Sequence, residues 1–170
     1  MKKEITIGTV DREIFINSIG GKEDSFAKTF RAKCDMMQLW EQCFGLYEGD
    51  ELCSAVVFTI SKNKPTTANL QLIHTFAKHR MKGYGKKLTI DVLDMIISEI
   101  EYLRVSAEQT AVGFYESMGF KFLGRQKSGT QLSMCKVTSK KISKCDFDKD
   151  DKYIWKCLNR NGKGGCVEIF

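Results

Sequence analysis

Apolar residues recur with two different periods along this chain, and each change of period marks an element. Glu4 to Val10 reads as a first strand, with Ile5 and Ile7 on one side. Asp11 to Ser18 fits neither period and stays ambiguous. Gly20-Gly21 breaks the chain, and Asp24 or Ser25 is placed to cap the next helix. Phe26, Phe30, Cys34, Met37, Trp40 and Phe44 follow at steps of three and four. That is one helical apolar face, open to division into two helices near Lys33-Asp35, and it reads as core. Phe44 to Tyr47, Glu48-Gly49-Asp50-Glu51 and Leu52 to Ile60 predict strand, turn and strand.

Ser61 to Thr67 reads as a loop around the only proline, Pro65, and Ala68 to Phe76 as the next strand. A helix is predicted from Gly83 or Tyr84 to Glu101, with Leu88, Val92, Leu93, Ile96, Ile97 and Ile100 on its apolar face. Tyr102 to Ala107 is a strand. Thr110 to Met118 is a short helix, closed by Gly119. Phe120 to Leu123 and Gln131 to Val137 are two more strands, with Gly124 to Thr130 between them. Beyond Thr138 the character changes. A lysine-rich stretch and an acidic run, Asp146 to Asp151, precede two short apolar stretches, Tyr153 to Leu158 and Cys166 to Phe170, which predict a C-terminal β-hairpin. That hairpin would extend the sheet or meet a partner's edge. The acidic run lacks the glycine and the glutamate of a calcium loop: Asp151 and Cys157 stand there.

The stretch Arg80-Met81-Lys82-Gly83-Tyr84-Gly85-Lys86 sits between the strand and the helix. Glycines at Gly83 and Gly85 let the backbone approach a ligand without a Cβ in the way. The first helical N–H groups have no partner inside the helix and carry the positive end of its dipole. With Arg80, Lys82, Lys86 and Lys87 around it, this turn is suited to a pyrophosphate. It is neither a three-glycine dinucleotide fingerprint, since Leu88 holds the third place, nor a P-loop.

Composition narrows the classes. The chain has 170 residues, 42% hydrophobic and 28% charged, which describes a globular protein with a sizeable core. No run of 18 apolar residues occurs and the start has no signal-peptide pattern, so the expected location is cytoplasmic, without a membrane. The seven cysteines include no C-x-x-C, and only two histidines accompany them, so no metal is expected and the thiols read as buried and reduced. The net charge of +6 permits an anionic partner: a coenzyme phosphate, a nucleic acid or an acidic protein.

Two motifs together resemble the GNAT N-acetyltransferase superfamily. Its [Q/R]-x-x-G-x-[G/A] signature is matched by Arg80-Met81-Lys82-Gly83-Tyr84-Gly85. Its A-x-x-x-Y-x-x-x-G-F is matched about twenty-five residues later by Ala111 to Phe120, with Tyr115 at the tyrosine. The resemblance runs from Ile5 to Val137. It implies an α/β (α+β) domain over residues 1–137: a mixed, mostly antiparallel sheet flanked by helices, expected to splay between the strand Ala68 to Phe76 and the strand Tyr102 to Ala107. Residues 138–170, outside the resemblance, are expected to form a C-terminal β-hairpin extension.

The resemblance further implies acetyl-CoA as cosubstrate and no metal. Thr75, Phe76, Arg80, Met81, Lys82, Gly83, Tyr84, Gly85 and Lys86 would bind the coenzyme, with backbone groups near Ile73 to Phe76 holding the pantetheine arm. Tyr115 would act as general acid toward the leaving thiolate. Asn69 and Gln71 stand where the family often carries its base, and neither accepts a proton at neutral pH. A water relay, Glu108 or an acceptor of low pKa would then serve. Strand parity sets His74 on the opposite face from Asn69 and Gln71, a core or rim histidine. The acceptor amine is not legible. A nucleic acid or aminoacyl-tRNA acceptor is the alternative the charge leaves open, and a non-catalytic binding module is another. Monomer and homodimer are both admitted.

Overall fold

The computed structural model describes residues 3–19, 24–63, 65–96, 100–125 and 131–137. The predicted hairpin at 138–170, and Cys145, Cys157 and Cys166 with it, lies outside these residues. The chain divides into two compact units, Met1–Thr59 with Leu70–Ser98, and Ile60–Asn69 with Glu99–Phe170.

In the first unit the strands β1 (Ile5–Thr9), β2 (Cys43–Glu48), β3 (Glu51–Ile60) and β4 (Thr67–Thr75, entering from the second unit) lie in that order. β1 pairs antiparallel with β2, Ile5 opposite Glu48, and β2 with β3 across the tight turn at Gly49, whose φ is 65°. Two helices, α1 (Arg12–Ile19) and α2 (Ser25–Met37), follow β1, and α3 (Tyr84–Ile96) follows β4. The ambiguous stretch from Asp11 is therefore helical. The Asp11 carboxylate accepts the Ile14 N–H at 2.8 Å, a helix-start bond. Asp24 does the same for α2, accepting from Ala27 N–H at 2.7 Å.

α2 is not divided near Lys33-Asp35. It runs unbroken to Met37 and stops where Gln38 takes a left-handed φ of 54°. Trp40 begins a separate 3-10 turn, Trp40–Gln42. Its indole Nε1 donates to Asp35 at 2.9 Å, and Arg12 reaches the same carboxylate at 3.0 Å.

The core of this unit is aromatic. Phe15 of α1 stacks on Phe30 of α2 with centroids 4.6 Å apart, and Trp40, His74 and Phe76 close around the pair. Each buried ring contributes roughly 1.5–3 kcal/mol through area removed from water. The opposite side of β4 meets α3, whose Leu88, Val92 and Leu93 are buried.

In the second unit, β5 (Tyr102–Ala107), β7 (Leu132–Val137) and β6 (Lys121–Arg125) lie in that order and pair antiparallel. Leu103, Val105 and Ala107 alternate inward along β5. The Thr66 carbonyl accepts from both Glu101 and Tyr102 N–H groups, at 2.7 and 3.2 Å.

Two predicted helices differ here. Helix α3 reaches Ile96 and not Glu101: Ile100 lies outside the helix, buried, and Glu101 turns into β5. The helix expected over Thr110 to Met118 is a 3-10 turn, Gln109–Ala111, followed by the short α4 (Val112–Glu116). It closes as predicted at Gly119, φ 87°. Phe120 N–H bonds the Tyr115 carbonyl and Gly119 N–H that of Glu116, the paired closure of a left-handed glycine cap.

Candidate active site

The parity of β4 decides what each of its side chains can do. Leu72 and His74 face the aromatic core, and Gln71 faces away, its amide donating to Thr59 Oγ1 at 2.9 Å. Thr75 faces α3 and shares a hydrogen bond of 3.0 Å with Ser54 Oγ. Beyond it, Phe76 turns into the core, and its N–H donates to the Cys53 carbonyl at 3.1 Å. That amide is thus engaged within the protein, and the neighbouring Thr75 carbonyl accepts from Arg80 Nε at 3.1 Å.

Between β4 and α3 the backbone makes a 3-10 turn, Ala77–His79, and then a loop that twice enters the left-handed region, at Met81 (φ 63°) and Gly83 (φ 77°). The two glycines do different work. At Gly83 an added Cβ would meet nothing within 4 Å, so glycine is needed there for its φ. At Gly85 an added Cβ would lie 2.9 Å from Thr75 Oγ1, so glycine is needed for the close approach of α3 to β4.

The first bond of α3 runs from Lys87 N–H to the Gly83 carbonyl at 3.0 Å. The N–H groups of Tyr84, Gly85 and Lys86 therefore precede the helical ladder and form its electropositive end. Successive left-handed and helical residues turn such groups into a concave anion site. Lys86 is exposed beside it. The Lys82 ammonium lies 5.7 Å from the Tyr84 ring centre, and Lys87 pairs with Asp91 at 2.6 Å. Arg80 is not a free cation: its Nη2 holds Asp24 Oδ2 at 2.8 Å.

A pocket of about 280 Å³ opens beside the C-terminal end of β4, lined among others by Ser18, Asp24, His74, Phe76 and Lys78. His74 is 5% exposed, and burial lowers its pKa, with Asp24 opposing and Arg80 assisting. The ring is therefore neutral near pH 7 and able to accept a proton. Asp24 is held below the usual carboxylate range, first by the Ala27 N–H. Lys78 pairs with Glu51. Strand parity alone reads His74 as a core or rim histidine, without a site role. Only its place beside helices α1 and α2 reveals the pocket it lines, and α1 was not legible.

In the second unit Tyr115 is 6% exposed, its ring against Phe114 and Phe120 at 5.2 and 5.6 Å. Burial pushes its hydroxyl up to about 12, so it is a proton donor throughout the neutral range. Glu108 accepts from the Gln131 amide at 2.8 Å. Residues of metal-ligand type from three places, Glu48, Cys53 and His79, also come together, although no sequence spacing announced them.

The sequence matches the family model of the acetyltransferase (GNAT) domain over residues 21–139. No curated protein is similar enough in sequence to match. Among solved structures, the chain is similar to the PaiA N-acetyltransferase of Thermoplasma acidophilum in complex with coenzyme A. That match has 17% identity and a TM-score of 0.61, over 79% of this chain and 99% of that one. It is also similar to the ribosomal-protein-S18-alanine N-acetyltransferase of Escherichia coli. There the identity is 15% and the TM-score 0.57, over 82% and 99% of the two chains. A third likeness, to a bacterial toxin, has 15% identity and a TM-score of 0.61, over 80% and 92%. No described helix is long and apolar enough to cross a membrane.

Proposed function

Because the chain belongs to the GNAT acetyltransferase family, we propose that it transfers the acetyl group of acetyl-CoA to an amine that enters the pocket at His74. The observation that carries this reading is the loop Arg80 to Lys86. Its glycine at φ 77° leads directly into three helical N–H groups that precede the ladder, which suits a pyrophosphate. The related PaiA structure, which holds coenzyme A, supports the same use of the fold.

In this reading the acceptor nitrogen attacks the thioester carbonyl, the C–N bond forms, and the C–S bond breaks as the tetrahedral oxyanion collapses. That oxyanion needs a hydrogen-bond donor aimed at the carbonyl oxygen. The attacking amine must shed a proton. Of the pocket-lining groups, neutral His74 is the one suited to take it, since Asp24 is too weak a base and Lys78 is committed to Glu51. Tyr115 is assigned the donor role toward the departing sulfur by its motif position. A thiol ionises near 8.5, well below the value of about 12 for Tyr115, so a completed proton transfer runs uphill. Its contribution is then a hydrogen bond that strengthens as charge develops on sulfur.

The test is calorimetric titration of acetyl-CoA into the protein beside Gly83→Glu, followed by an amine panel scored for released thiol. Saturable binding that the variant loses supports the reading. Absence of binding at millimolar coenzyme overturns it.

A further inference from the structure

The β2–β3 hairpin and the 3-10 turn before the phosphate loop bring together three side chains that the transfer reaction does not use. Glu48 closes β2, Cys53 lies on β3, and His79 ends the turn Ala77–His79. Their ligand atoms all lie within 4.8 Å of one another. Cys53 is fully buried, and its Sγ–H rests on the Glu51 carbonyl at 3.3 Å. His79 is 3% exposed. Its Nε2 meets Glu51 Oε1 at 3.1 Å, while Nδ1 is buried with no hydrogen-bond partner.

That unpartnered nitrogen needs a physical reason, because an unsatisfied buried polar atom is costly. With Nε2–H donating to the Glu51 carboxylate, the neutral ring must carry its lone pair on Nδ1. A histidine fixed by a carboxylate on one nitrogen and free on the other has the form that metal-binding histidines take.

The geometry points to a zinc-type divalent metal site formed by Cys53 Sγ, His79 Nδ1 and a Glu48 carboxylate oxygen, with Glu51 as its outer partner. Sulfur, imidazole and carboxylate are the donor set that suits Zn²⁺. Tetrahedral coordination sets neighbouring donors about 3.5 Å apart, and the ligand atoms of the three residues lie within 4.8 Å of one another, so small side-chain rotations bring Nδ1, Sγ and a carboxylate oxygen onto one ion. The step balances simply. The Cys53 S–H bond gives its proton to solvent as the S–metal bond forms, and the ion meets one thiolate, one carboxylate and one neutral imidazole, with a water in the fourth position. The filled site has no net charge, which suits its burial. The ion would staple the hairpin to the turn from which the phosphate loop starts. It acts on the loop's position and takes no part in acyl transfer, so the inference stands apart from the proposed reaction.

The test is a Co²⁺ titration of the full chain, reduced and stripped with a chelator, read by absorption. The expected result is about one bound ion with a thiolate-to-cobalt band and intense tetrahedral d–d bands, displaced by Zn²⁺. Cys53→Ser abolishes the thiolate band, whereas Cys135→Ser keeps it. Glu48→Gln and His79→Gln weaken binding at least tenfold, and Glu51→Gln weakens it about 10–100-fold while leaving the thiolate band in place. Failure of the wild-type chain to bind Co²⁺, or a thiolate band that survives Cys53→Ser, overturns the site. Should circular dichroism find Cys53→Ser unfolded, Glu48→Gln and His79→Gln decide, and wild-type affinity in both overturns it.

Discussion

Arg80 Nη2 holds Asp24 Oδ2 at 2.8 Å while Asp24 Oδ1 accepts the Ala27 N–H at 2.7 Å. One carboxylate therefore starts α2 and anchors the root of the phosphate loop.

Asp24→Ala should cost about 1 kcal/mol of stability through loss of the cap. In a double-mutant cycle with Arg80→Ala the pair itself should couple by only about 0.2–1 kcal/mol, since both partners are partly exposed. The pKa of Asp24 is lowered in the folded protein, first by the Ala27 N–H. Its contribution is therefore present above the unfolded value, about 3.9, and is lost as pH falls through the folded value. Urea melts at neutral pH and at about pH 2 check the sign: the gap between wild type and Asp24→Ala must shrink in acid.

Gly83 and Gly85 should fail in different ways. Gly83→Ala places a Cβ in open space but at φ 77°, so it should cost about 1–2 kcal/mol by backbone strain alone. Gly85→Val drives methyl groups into Thr75 and Ile73, an overpacking cost of about 1–3 kcal/mol. Pairing Gly85→Ala with Thr75→Ala, which removes the Oγ1 that the new Cβ would meet, separates the two. Truncating Thr75 should relieve the Gly85 variant and leave Gly83→Ala unchanged. Thermal melts of the single and double variants give the answer.

Tyr115→Phe should lower kcat by about a hundredfold with little change in KM for acetyl-CoA. The hydroxyl ionises near 12, raised by burial. This group therefore contributes stability that is complete below its unfolded value, about 10, and is lost as pH rises through the folded one. Alkaline unfolding followed by circular dichroism should show a shallower loss above about pH 10 in Tyr115→Phe. A variant with wild-type kcat contradicts the donor role.

His74→Gln should lower kcat/KM by about 10²-fold and flatten the acid limb of its pH profile. Burial lowers the histidine pKa, so the wild-type rate should begin to fall only below about 6.5. An acid limb that persists unchanged in His74→Gln assigns the proton to another acceptor.

Much of this was legible in the sequence because its signals are local. The hairpin at Gly49, the cap at Asp24, the glycine turn and the closure at Gly119 each rest on one or two residues whose backbone demands are specific. What was not legible depends on residues far apart. α1 carries a single fully buried residue, Phe15, too little to show a period, and only its stacking on Phe30 explains why it folds there. The end of α2 was missed because Gln38, not glycine, takes the left-handed position. The cluster of Glu48, Cys53 and His79 spans two strands and a turn, a separation that no motif spacing encodes.

The alternation of β4 sets a condition on length as well as identity. His74 meets Phe15 and Phe76 at one surface, and Thr75 meets Gly85 at the other. Removing or inserting one residue inside the strand would exchange them, sending the imidazole toward α3 and the hydroxyl into the aromatic rings. Sequence drift in this strand can therefore change residues freely at its exposed positions, but insertions and deletions are tolerated only in pairs.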